Sequence, residues 1–311
     1  MVAFSVTLVC ITYVLVYGKV LDWYNDRSIR TVSFVAIIFG CVFFYLEKGR
    51  NSHYMLLDVL RLRTIRLGVL LYLLLMIFNS SAMFVNVFTG IGMKLDNYQN
   101  ATLGNWCMAG YAIGALSSMF LGSKGVHFKY LFAAGFLFLG LSAVFMYFEV
   151  QSAGLYERMK YPVIIRTTGM MFLYALTAAY ATQRMPYKYL STWICVMLTV
   201  RMVLGPSIGG AIYSNVLQER QQHYIVRYAQ NVDMLHPEAS ASFIQTMQGM
   251  QYQGKSKQEA LNMAALSTKG RIQVQATLSA VKEMAGWTIY GCLFCMIFVL
   301  IIPYPKRKLL T

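Results

Sequence analysis

Apolar residues fall in long unbroken runs divided by short polar stretches. Eight of these runs are candidates to cross a bilayer: Val2 to Gly18, Thr31 to Leu46, Leu67 to Gly90, Leu103 to Gly122, Tyr130 to Phe148, Pro162 to Thr182, Leu190 to Val216 and Ala285 to Ile302. A hydrocarbon core of about 30 Å takes about 20 apolar residues in a helix, and only the second run is marginal in length. The runs are continuously apolar rather than alternating, which excludes a membrane β-barrel. The expected fold is all-α, a polytopic membrane helix bundle of about eight transmembrane helices.

One connection breaks the pattern. Residues 217–283 form a long polar insert while the other loops are short. Ser256-Lys257-Gln258-Glu259 has the form of a capping box before Ala260, Leu261, Ala264 and Ala265, so a helix is predicted to begin there and run toward the last span. His236-Pro237-Glu238 reads as a break, with Pro237 at a first helical position. Helical extensions of the seventh and eighth spans, with a short helix between them, are therefore expected. His223 and His236 read as solvated.

Composition agrees with the pattern: 58% of residues are hydrophobic and 13% charged, with a mean hydropathy of +0.52. The lipid bilayer is thus the first partner. The net charge of +15 does not indicate nucleic acid, because Lys and Arg flank the spans. Lys48, Arg50, Arg61, Arg63, Arg66, Lys124, Lys129, Arg184, Lys188, Lys306, Arg307 and Lys308 fall in loops on one side, against Lys94, Arg158 and Lys160 on the other. The positive-inside rule places both termini in the cytoplasm. No Lys or Arg precedes the first run and no small-residue cleavage site follows it, so it is expected to stay as a helix. All six cysteines lie in apolar runs. Cys292 and Cys295 form a CxxC with no further ligand nearby in sequence and read as packing residues; no metal or cofactor is expected.

A few polar residues interrupt the runs. Arg201 lies near the middle of the seventh, where a guanidinium costs about 2.5 kcal/mol or more unless it faces protein or water. Its partner must be a backbone carbonyl, a tyrosine, a bound anion or an acid on another chain, because no Asp or Glu falls within any of the eight runs. In the third run Tyr72, Met76, Asn79, Met83 and Asn86 recur at spacings of three and four, on one helix face. That face lines a wet cavity or ties helices together by hydrogen bonds. Arg166, Met170, Tyr174 and Thr177 form a second stripe, in which Arg166 lies close enough to the outer boundary to snorkel. Gly110 and Gly114 permit close helix packing. Gly205, Pro206, Gly209 and Gly210, one turn after Arg201, read as a hinge or tight-packing element. All four histidines lie in loops and no catalytic constellation is visible, so the chain is not expected to be an enzyme.

At these residues the chain resembles the drug:proton antiporters of the major facilitator superfamily, specifically the fourteen-span EmrB/QacA-type branch. Gly205-Pro206-Ser207-Ile208-Gly209-Gly210 is similar to the counterpart of the superfamily's antiporter motif, and Arg201 before Gly205 and Gly209 is similar to the branch's penultimate span. Gly18-Lys19-Val20-Leu21-Asp22-Trp23-Tyr24 resembles the loop between its two extra central spans, and Arg61-Leu62-Arg63-Thr64-Ile65-Arg66 fits the start of the span after them. The resemblance implies two linker helices and a basic cytoplasmic loop over 1–64, then a C-terminal six-helix half over 65–311 with the extracytoplasmic insert at 217–283. These would be spans seven to fourteen of the family, without the N-terminal half. It further implies proton-coupled efflux of small amphipathic or apolar substrates across a bacterial cytoplasmic (inner) membrane, with an N-terminal transporter half or a periplasmic adaptor as partner. The alternative is a non-transporting membrane scaffold, or a subunit that needs a partner chain.

Overall fold

The computed structural model describes residues 2–48, 57–151, 154–183, 185–231 and 237–304, and every regular element among them is helical. The principal helices are α1 (Val2–Tyr17), α2 (Arg27–Lys48), α3 (Arg63–Asn79), α4 (Ala82–Val87), α5 (Asn97–Ser123), α6 (Phe128–Glu149), α7 (Lys160–Thr182), α8 (Leu190–Thr199), α9 (Gly205–Asn231), α10 (Pro237–Tyr252) and α11 (Lys257–Ile301). Six helical segments are long and apolar enough to cross a membrane, as in an integral membrane protein. The other two runs differ from expectation. The short helix is α1, with 16 residues, not α2, which gains Arg27–Arg30 and reaches 22 residues. α5 has 27 residues, but its polar opening makes it less apolar than the six.

The ends of the bundle sort as an up-and-down topology requires. At one end His127, Phe128, Phe132, Tyr180 and Tyr304 pack ring against ring. At the other, Lys19 Nζ donates to the Asn215 carbonyl at 2.6 Å and Tyr156 meets Thr102 at 2.6 Å. The insert projects from this second end. α11 has 45 residues, roughly 68 Å of helix, more than twice a bilayer core. α9 continues to Asn231, and α10 begins at Pro237 and packs on α11, as the Pro signal predicted; His236 lies outside the described residues.

Ser256 Oγ accepts from the Glu259 N–H, and Glu259 accepts from the Ser256 N–H at 3.1 Å, completing the predicted capping box. Those bonds to Ser256, the backbone one foremost, hold the Glu259 carboxyl below its ordinary value. A depressed carboxylate contributes fully above its unfolded pKa, and that contribution is lost as pH falls through the folded value. Replacing Ser256 with Ala is expected to cost about 1 kcal/mol locally, or roughly fivefold faster opening of the first turn of α11. Hydrogen-exchange protection factors should be lower for S256A at neutral pH, and in both proteins they should fall further as pH drops below the carboxylate range, because the backbone N–H that Glu259 accepts from is present in both. Equal protection of the two at neutral pH would contradict the cap.

Two apolar cores are stacked along the bundle. The lower contains Tyr72, Leu75 and Met76 from α3, Phe136 and Leu139 from α6, Phe172 and Leu173 from α7, Trp193 from α8, and Cys292 and Cys295 from α11. The upper contains Phe84 from α4, Met146 from α6, Val163 from α7, Tyr213 and Leu217 from α9, and Val281 and Met284 from α11. Between them the helices contribute polar groups. Ser142 Oγ donates to the Pro162 carbonyl at 2.8 Å, Tyr213 and Thr288 hydroxyls meet at 3.2 Å, and Thr167 and Thr168 are buried. Asn79, Ser80 and Arg166 belong to this polar waist.

Candidate functional site

The run from Leu67 to Gly90 is not one regular helix. At Ser80 and Ser81 the turn tightens: Ser81 N–H bonds to the Phe78 carbonyl, and Met83 N–H bonds to Ser80 at 3.1 Å. In a regular α-helix the Met83 N–H would go to Asn79. The Asn79 carbonyl is therefore released, and a released carbonyl at this depth needs a donor. Arg166 provides it. One Nη donates to Asn79 Oδ1 at 2.7 Å and approaches the Asn79 carbonyl at 3.4 Å. Arg166 stands six residues inside α7, roughly 9 Å from its N-terminal end, and reaches across to Asn79 rather than back toward that end. Its Nε is buried without a partner.

Beside this clasp lies a cavity of about 160 Å³, formed by α4, α5 and α7 and lined by Arg166, Asn86, Asn100, Gly104, Cys107 and Val163, among others. Asn86 is exposed, and Asn100 and Cys107 are half-buried. Asp96 caps α5 by accepting from the Gln99 N–H at 2.7 Å. That brings Asn100 onto the first turn, one face with Gly104 and Cys107. Asn100 lies before the apolar run that begins at Leu103, and the 4-then-3 spacing of Asn100, Gly104 and Cys107 is the sequence signal that places it on their helix face.

About two turns deeper the second arginine has a partner. Arg201 donates to the Tyr174 hydroxyl and its guanidinium lies over the Tyr174 ring, 4.0 Å from the centroid. Of the partner classes open in the sequence, a tyrosine is the one found. Tyr72 donates its hydroxyl to the Tyr174 carbonyl at 3.0 Å, and the two rings meet edge to face at 5.5 Å. Arg201 is carried on a π-helical turn, Val200–Leu204, closed by a bond from the Gly205 N–H to the Val200 carbonyl. Pro206, which has no N–H, cannot donate back into that turn, and such turns recur at functional positions in membrane and soluble helices alike.

The small residues after it divide in their roles. A Cβ on Gly205 would strike Met76, and one on Gly209 would come within 3.0 Å of Ile77 Cα, so both let α9 lie against α3. Gly210 faces open space and takes no part in that packing. The predicted stripe divides too. Tyr72 and Met76 are buried in the lower core, Met83 packs against the upper core, and Asn79 and Asn86 reach the clasp and the cavity. Thr177 turns into the protein and bonds the Leu173 carbonyl of its own helix. Cys292 and Cys295 are buried free thiols.

No ion pair among the described residues involves Arg166 or Arg201. Among the described residues that line the cavity, Arg166 is the one with a charged side chain. The cavity thus carries a net positive charge. No family model and no curated protein matches the chain.

Proposed function

We propose that the chain forms one wall of a pathway for small amphipathic solutes through the membrane, with the cavity at Arg166 as its outer chamber and the Tyr72–Tyr174–Arg201 group below it. The observation that carries this reading is the cavity itself: a guanidinium at bilayer depth, two amides and no acid, on three helices, one of which, α4, starts at the backbone interruption at Ser80 and Ser81. Irregular backbone inside a membrane is tolerated where protein buries it or where it lines a water-filled space. Sites of this kind in transporters sit between helical repeats that rock against each other. The expected efflux activity, its proton coupling, the inner-membrane orientation and a partner half or adaptor belong to this proposal and rest on the resemblance.

A second reading has its own support. Arg166 satisfies the Asn79 carbonyl and Arg201 satisfies Tyr174, so both arginines tie helices together, as a non-transporting scaffold would need. A cysteine at Asn86 separates the two. In a background lacking reactive native thiols, the pathway predicts that N86C reacts with a membrane-impermeant thiol reagent in intact membranes, while L116C, exposed on the outer apolar face of α5, stays silent. Silence at both positions favours the scaffold.

A further inference from the structure

We infer that the cavity at Arg166 is an anion site, which takes a single carboxylate or phosphate carried on an apolar body. The inference deepens the pathway reading and rests on it. Three features of the cavity point the same way. First, its one charged side chain is a guanidinium that uses a single Nη toward Asn79 and pairs with no acid. A charge held in low dielectric without a counter-ion leaves a strong unmet attraction for an anion and repels a cation. Second, the other polar groups at the rim, Asn86 and Asn100, carry amide N–H donors that can meet the remaining oxygens. Third, Val85, Leu103 and Val163 complete the wall with apolar surface, suited to the first carbons behind a headgroup. The size agrees: about 160 Å³ is well below the roughly 300–1,000 Å³ of sites that engulf a drug-sized molecule. The cavity holds an end, not a whole ligand.

The ligand has two sources, a free solute or the headgroup of an anionic lipid, and binding experiments distinguish them. The protein is placed in phosphatidylcholine nanodiscs at about 0.15 M salt. Equilibrium binding is then measured for two fluorescent probes of one shape and opposite charge, 1-naphthoate and 1-naphthylmethylammonium. The site predicts that naphthoate binds at least about tenfold more tightly than the cation, and that R166Q erases most of that gap while R166K keeps most of it. Exchanging phosphatidylcholine for phosphatidylglycerol identifies the occupant: competition with naphthoate assigns a lipid headgroup, and unchanged binding assigns a free solute. Equal binding of the two probes to the wild type overturns the inference whether or not R166Q folds, as does an unchanged gap in a folded R166Q. If N86C proves accessible while the probes bind alike, the anion site fails and the pathway stands. If N86C is silent, both fail.

Discussion

Replacing Arg166 with Met is expected to destabilise the chain by about 1–3 kcal/mol and to close the cavity to anions. The energetic part follows from what the guanidinium holds. Asn79 presents two acceptors, its Oδ1 and a backbone carbonyl released by the tight turn at Ser80 and Ser81, and both are half-buried and take their donor from Arg166. The single substitution leaves them bare. The double variant R166M/N79L removes the amide as well as the charge, leaving only the carbonyl unmet, and buried charge replaced by well-packed apolar side chains is often neutral. It should therefore regain much of the lost stability. It should not regain naphthoate binding. Thermal unfolding can be followed through Cys292 and Cys295, buried in the lower core, with a dye that fluoresces on reaction with thiols released by unfolding. Full stability of R166M would show that the clasp contributes nothing. Naphthoate affinity restored in the double variant would show that the anion site does not depend on the charge.

The second large effect is expected where α5 meets α7. A Cβ on Gly114 would stand 2.5 Å from the Thr168 carbonyl oxygen and 3.0 Å from Met171 Cβ. A Cβ on Gly110 would strike Thr167 Oγ1 and stand 2.6 Å from the Ile164 carbonyl oxygen. Backbone carbonyls of a helix cannot turn aside, so even alanine must push the helices apart. Overpacking of this kind costs typically about 1–3 kcal/mol per site, and G110A/G114A should lose more than either alone. Because α5 also walls the cavity through Asn100 and Cys107, the displacement should loosen naphthoate binding too. Gly104 and Gly210 serve as controls, since nothing stands within 4 Å of a Cβ on either. There alanine should be neutral or favourable by up to about 1 kcal/mol through helix propensity. Equal melting of G110A/G114A and G104A would remove the close packing from the account.

The helical bundle was legible because burial in lipid imposes unbroken apolar runs, and a run of that length has few other readings. The insert was legible for a local reason: Pro237 and the Ser256–Glu259 box are signals that act within a turn. The break at Ser80 and Ser81 was not, because serine in an apolar run reads equally as a small packing residue. Its consequence, a free carbonyl seeking a donor, depends on a helix 87 residues away in sequence. For the same reason the snorkelling alternative for Arg166 stayed open until Asn79 was seen opposite it. Arg201 had four classes of partner in the sequence. Tyr174 could be chosen among them only once α7 and the π-helical turn were side by side. Gly205 and Gly209, four apart, were legible as one contact face and do lie against α3, whereas Gly210, grouped with them in the same hinge or packing element, points away.

The central claim is that water reaches the positive cavity beside Arg166, and the chain carries its own reporter. Cys107 lines that cavity, whereas Cys41 is exposed on α2, a helix with apolar residues outward. Unmodified protein in intact membranes would be treated with a membrane-impermeant thiol reagent, and each cysteine quantified by mass spectrometry. The account predicts modification of Cys107 well ahead of Cys41. Cys107 left unmodified, or modified no faster than Cys41, would contradict it.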